Sequence, residues 1–257
     1  MQSYNLLKAN LDNRVAIVTG SSRGIGEATA KILAANGATV VVNGRNIERT
    51  RKVAEEIKNL GAKAFAVPGD VSKYHEAFHV VDVTLKSFDR VDILFNNAGI
   101  IEPTSVEDMD EQEWDRMIEI NLKSVFSCSR AVLKHMKERR YGKIINMSST
   151  AGKTSSTLGG PHYSASKAGV LGFTRHLARE LAPYGVNVNA ICPGIVDTDM
   201  LRSNASRERI DQITKSIPMN KLAEPEDVAY LVLFLVSDAS SFITGASIDI
   251  DGGELIL

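Results

Sequence analysis

The tightest constraint on the fold is an abrupt change of character near the amino terminus. Residues 14–19 read Arg-Val-Ala-Ile-Val-Thr, a compact β-branched run, and break at once into Gly20-Ser21-Ser22-Arg23-Gly24-Ile25-Gly26. Such a run is the pattern of a strand buried on both faces of a parallel sheet. Behind the glycines, Ala28, Ile32, Leu33 and Ala35 recur at helical spacing until Asn36-Gly37 ends the segment. Strand, glycine turn and helix open a βαβ unit, and parallel strands need a crossover between them. The rest of the chain must therefore keep alternating.

It does. Further strands are expected at 38–42, 62–67, 91–95, 143–147, 186–191 and 246–250. Between them, helices are expected at 48–60, at 72–88 with Ser72 as N-cap, at 111–140 as one long helix, and at 163–179. A last helix opens at Pro225-Glu226-Asp227 and carries the apolar stretch 228–236. No linker, repeat or low-complexity tract interrupts this series. The expected fold class is α/β, a single doubly wound, Rossmann-type domain over 1–257 whose seven-stranded parallel sheet is flanked by helices. Residues 1–10 are its polar lead. Segments 150–162 and 193–218 read as irregular and follow strands. Ligands in such sheets bind at the carboxyl ends of the strands, so these segments are the expected walls of a substrate pocket, with 194–218 as its lid.

Composition narrows the class of function. The 257 residues suffice to bury roughly three quarters of the unfolded surface. A formal net charge of −1 gives no global attraction to nucleic acid or anionic membrane, which leaves small molecules as the expected ligands. The apolar stretch 228–236 is too short to span a bilayer, and residues 1–8 lack the pattern of a signal peptide. Cys128 and Cys192 show neither CxxC spacing nor a disulfide framework, so a cytoplasmic location is expected.

The glycine turn sits where backbone can approach a pyrophosphate and a helix N-terminus faces it. Gly20, Ser22, Arg23, Gly24, Ile25 and Gly26 are therefore candidate cofactor residues. An NAD-binding domain commonly places an acid about 20 residues past the turn for the ribose hydroxyl. Here the second strand ends Val42-Asn43-Gly44-Arg45, without an acid before Glu48. Arg45 and Arg23 suit a 2′-phosphate instead, so NADP(H) is expected over NAD(H). Asp70-Val71 and Asn97-Ala98-Gly99 also fall at strand ends, with Asn97 either touching the cofactor or capping its strand. On the helix at 163–179, Tyr163 and Lys167 share a face. An ammonium beside the phenol is expected to lower a pKa that is ordinarily about 10.

Thr19-Gly-x-x-x-Gly-Ile-Gly26, Asn96-Asn-Ala-Gly99, Ser149, Tyr163-x-x-x-Lys167 and Pro193-Gly194 occur together and in this order. On these motifs the chain resembles the short-chain dehydrogenase/reductase family, within it most of all the 3-oxoacyl-acyl-carrier-protein reductases. The resemblance covers nearly all of the chain. It implies an NADPH-dependent carbonyl reductase, with a 3-oxoacyl thioester as first substrate and a free ketone, sterol, polyol or sugar acid as the alternative. It makes Tyr163 the acid/base and sets Lys167 against the nicotinamide ribose. Ser149 holds the substrate oxygen in this reading, and Asn121 holds a water leading to Lys167. Pro193, Gly194, Val196 and Thr198 meet the nicotinamide end. A homotetramer is implied, for which the apolar tail 255–257 is suited. Lys137, Arg139 and Arg140 are candidates to meet an acidic carrier at the pocket mouth, whereas Tyr184 stands where such reductases have a second basic residue. His75 and His79 have metal-pair spacing without a third ligand, and no metal site is expected. His162 is read as a pocket-lining or loop imidazole, and Trp114 as a core or subunit anchor.

Overall fold

The computed structural model describes residues 9–256; the start of the polar lead and Leu257 lie outside the described residues. The chain alternates β1 (Val15–Val18), α1 (Gly24–Ala35), β2 (Thr39–Val42), α2 (Ile47–Asn59), β3 (Ala64–Ala66), α3 (Tyr74–Phe88) and β4 (Ile93–Asn96). It continues with α4 (Glu111–Ile118), α5 (Ser124–Arg139), β5 (Gly142–Met147), α6 (Pro161–Leu181) and β6 (Val186–Pro193). Helices α7 (Asp199–Asn204), α8 (Arg207–Ser216) and α9 (Pro225–Val236) precede β7 (Ser247–Ile250). The seven strands form one parallel sheet in the order β3-β2-β1-β4-β5-β6-β7. The chain reverses direction across the sheet between β1 and β4, which opens a crevice at their carboxyl ends.

Strand periodicity sorts the side chains between two cores. Ala16, Val18, Val40, Val42, Ile93 and Phe95 face α1, α2 and α9, while Val15, Ile17, Val41, Leu94 and Ile144 face α3, α5 and α6. Both sets are almost wholly buried, each large aliphatic side chain contributing about 1.5–3 kcal/mol relative to exposure. Among the described residues no helix is long and apolar enough to cross a membrane.

Three expectations need correction. Ser72 does not cap α3, whose N-cap is Lys73 without a side-chain hydrogen bond. The long helix expected at 111–140 is divided by a π-helical turn, Glu119–Lys123. The irregular segment 193–218 contains α7 and α8. Their starts are capped by Thr198 and Ser206, whose hydroxyls accept from the Leu201 and Arg209 amides. Few apolar residues mark them, since Leu201 and Ile213 are their buried positions.

Candidate active site

A cavity of about 720 Å³ follows the carboxyl ends of the strands from β2 to β6. At its floor the glycine turn is tied down by side chains of neighbouring strands. Thr19 Oγ1 accepts from the Asn97 and Ala98 amides at 3.0 and 3.1 Å. Asn97 Nδ2 donates to the carbonyls of Thr19 and Gly20 at 2.9 and 3.1 Å. Asn97 thus holds the turn of a different strand rather than capping its own. Ser21 Oγ bridges the turn to β2, donating to Val18 O at 2.6 Å and accepting from the Asn43 amide at 3.0 Å. No side chain fits at Gly26, where a Cβ would lie 2.5 Å from Asn97 Nδ2 and 2.6 Å from Gly20 O. At Gly20, with φ +63°, a Cβ would lie 2.9 Å from Ala98 Cα.

The cavity brings together Gly20, Ser22, Arg23, Gly24, Ile25, Gly26, Arg45, Asp70, Val71, Asn97, Ala98 and Gly99 with Ser149, Tyr163, Lys167, Pro193, Gly194, Val196 and Thr198. Arg49, in the first turn of α2 and four residues past Arg45, joins them on the wall. The sequence reading missed it; a second arginine so near Arg45 was the available signal. No carboxylate lines the wall between Asn43 and Arg49. Thr198 approaches the turn from the opposite side, its Cγ2 lying 3.6 Å from where a Gly24 Cβ would be. A floor open to backbone, the unblocked N-terminus of α1 and a cationic wall fit a dinucleotide phosphate.

Asn121 lies behind the cavity wall, 1% exposed, in the π-helical turn. Its Oδ1 accepts from the Ile100 amide at 2.8 Å, and its Nδ2 donates to Ile100 O at 2.9 Å. A Cβ on Gly99 would lie 3.2 Å from Asn121 Oδ1 and 3.6 Å from Lys167 Nζ, so both side chains converge on that glycine.

The two serines after β5 divide their tasks. Ser148 is buried and donates to Lys167 O at 2.9 Å. Ser149 accepts from the Ala151 amide at 3.1 Å and donates to Pro193 O at 3.5 Å, and its hydroxyl faces the cavity together with the Tyr163 phenol. Lys167 Nζ donates to Met147 O at 3.0 Å and stands 5.7 Å from the centroid of the Tyr163 ring. Burial lowers the Lys167 pKa to about 8. Burial also raises that of Tyr163, which the Ser149 hydroxyl partly offsets. The expected depression of the phenol is therefore not found: burial raises its pKa, and the neighbouring Ser149 hydroxyl, not Lys167, is the group that lowers it.

Other expectations fall elsewhere. Lys137, Arg139 and Arg140 sit at the end of α5, which leads into the amino end of β5, opposite the cavity. There Lys137 pairs with Glu180 at 3.2 Å, and Arg140 donates to Pro183 O at 2.8 Å. His162 is fully buried in the first turn of α6 and does not line the cavity. Trp114 is 41% exposed and so is not a core anchor. Glu254, unnoticed in the sequence, lines the cavity with a buried Oε2 that lacks a partner.

The family profile described as Enoyl-(Acyl carrier protein) reductase matches residues 20–254. The chain belongs to the short-chain dehydrogenase/reductase family. Among its relatives, the 3-oxoacyl-[acyl-carrier-protein] reductase of Synechocystis is 44% identical over 96% of this chain and 98% of its own. The Aquifex aeolicus 3-oxoacyl-[acyl-carrier-protein] reductase is 40% identical over 96% of this chain and 99% of its own. A crystal structure of a Brucella melitensis 3-oxoacyl-[acyl-carrier protein] reductase superposes with a TM-score of 0.93 at 36% identity, covering 100% of this chain and 97% of that one. A second from that organism, with bound NAD, gives 0.91 at 35% identity over 100% and 97%. Short-chain dehydrogenases/reductases use a nicotinamide dinucleotide to interconvert carbonyls and alcohols, so this chain is an oxidoreductase of that kind.

Proposed function

We propose that the protein reduces a 3-oxoacyl thioester to the 3-hydroxyacyl product with NADPH, acting in the cytoplasm. The observation that carries this reading is the meeting of Ser149, Tyr163 and Lys167 at one end of a cavity whose other end bears Arg23, Arg45 and Arg49. Those arginines favour a 2′-phosphorylated ribose, because guanidinium pairs with phosphate through paired hydrogen bonds. The dihydronicotinamide, when bound, supplies the hydride.

The chain's own groups handle the proton and the oxygen. Tyr163 donates its hydroxyl proton to the substrate oxygen. Its raised pKa keeps it protonated near neutral pH, the state an acid in the reductive direction needs. Ser149 Oγ holds the same oxygen as charge develops on it. Lys167, fixed by Met147 O, offers its remaining N–H donors to the cofactor ribose and favours the phenolate left after proton transfer. Asn121, braced on Ile100, holds the water that resupplies Lys167. Pro193, Gly194, Val196 and Thr198 orient the nicotinamide end.

The relatives' names support a thioester substrate carried on an acyl carrier protein. Glu254 favours a second reading, a free hydroxylated ketone such as a polyol or sugar acid. Its buried, unpartnered Oε2 would accept a hydrogen bond from a substrate hydroxyl, while burial and neighbouring Asp251 raise its pKa. Turnover of carrier-bound, coenzyme-A-bound and free ketones with both cofactors separates the readings. A homotetramer is proposed on the exposed aromatic group of Tyr74 and Phe126, 41% and 40% accessible, and on fully exposed Phe242. Sedimentation at monomer mass would refute it.

Tyr163→Phe tests the chemistry. It should lower turnover by about 10²–10⁴-fold while leaving NADPH affinity within about twofold. A variant with wild-type turnover would overturn the assignment.

A further inference from the structure

A second cluster of chemically able side chains lies outside the cavity. His162 is fully buried, and neither ring nitrogen has a hydrogen-bond partner. Its Nε2 lies 3.2 Å from Glu113 Oε1, an oxygen that is itself buried and without a hydrogen bond. Glu102 contributes another buried, unpartnered oxygen, Oε2, while its Oε1 accepts from Arg116 Nη1 at 2.7 Å. One ligand atom from each of Glu102, Glu113 and His162 can be chosen so that all lie within 4.8 Å of one another.

Unpartnered buried polar atoms are rare, and three residues that each contribute one to the same cluster call for an occupant. An imidazole nitrogen and two carboxylate oxygens are a donor set for a divalent transition cation, zinc above all. Ligands at about 2.0–2.2 Å from zinc stand about 3.4 Å apart in a tetrahedron; His162 Nε2 and Glu113 Oε1 are already that close, and the remaining separations, all within 4.8 Å, need close by no more than about 1.4 Å. Arg116 neutralises one carboxylate, which leaves a single net negative charge for the cation to meet. We propose that Glu102, Glu113 and His162 bind one zinc ion, with water completing the tetrahedron. The ion would join three separate segments: the chain after β4, helix α4, and the first turn of α6 directly before Tyr163.

Binding is tested on the full chain, stripped with a chelator and titrated with cobalt(II), following visible absorption with zinc as competitor. Saturation at about one equivalent is expected, with Glu113→Gln and His162→Gln each weakening it at least about tenfold. A double His75→Gln/His79→Gln variant should bind as wild type does. Absence of saturable binding, saturation untouched by either substitution, or its loss in the double variant would overturn the site. Circular dichroism and dinucleotide binding report whether each variant is folded. Where a variant is not, the wild type decides: the ring nitrogen signals of His162 must shift on adding zinc, and unmoved signals refute the proposal.

Discussion

The two ends of the cavity are built differently. At the dinucleotide end, Thr19, Ser21, Asn43 and Asn97 each spend side-chain hydrogen bonds on neighbouring backbone, and the turn has no room for a methyl at Gly26. Over the substrate end, α7 and α8 are short, polar and largely exposed, each with one buried side chain. One end is specified atom by atom by the strands, and the other rests on caps and a few apolar contacts. On the proposed function, a fixed cofactor site beneath an adaptable cover would let one reaction serve different substrates.

Substitutions can break this contrast from either side. Gly26→Ala should be the most damaging, because Asn97 and Gly20 O must move to admit the methyl. A fall of about 100-fold or more in dinucleotide affinity is expected by fluorescence titration, with a loss of about 1–3 kcal/mol in denaturant unfolding. Arg45→Asp should shift the ratio of kcat/KM for NADPH over NADH by about 10–100-fold towards NADH, the worth of one charged hydrogen bond. An unchanged ratio would leave the 2′-phosphate to Arg23 and Arg49.

Lys167→Met probes the boundary between the two ends through pH. The lysine's folded pKa of about 8 lies below its ordinary 10.5. Between those values the unfolded chain binds more protons, so this group makes stability rise with pH from about 8 to 10.5. Below pH 8 the fold bears the cost of a buried ammonium. The variant should lose that slope and be more stable than wild type by about 1–3 kcal/mol at pH 7. Urea unfolding at several pH values measures both effects. Smallest should be Ser206→Ala, which removes the α8 cap at a cost of about 1 kcal/mol. On an adaptable cover this should appear as a KM change of a few-fold with kcat held. A collapse of kcat would mean that α8 is as tightly specified as the floor.

Legibility in the sequence followed the same division. The seven strand positions, most helices and the glycine turn could be read because burial on two faces leaves an unbroken apolar run, and close backbone approach leaves glycine. Arg49 was missed, although a second arginine four residues past Arg45 was there to be read. Helices α7 and α8 were not, since the polar residues of a thinly packed helix carry no period. The Tyr163 pKa was misjudged because spacing reveals a neighbouring charge but not the surrounding desolvation. Glu102, Glu113 and His162 meet through the packing of α4 on α6, and no local pattern links them.

The π-helical turn at Glu119–Lys123 bears on how such chains tolerate insertions and deletions. Each residue of a regular helix advances the face by about 100°. Removing one residue here would tidy the helix yet turn everything before it, including Glu113, away from its neighbours. The residue count between Glu111 and Arg139 is therefore under constraint even where residue identity is free. An alignment that closes a gap in this stretch would silently pair Asn121 with the wrong position.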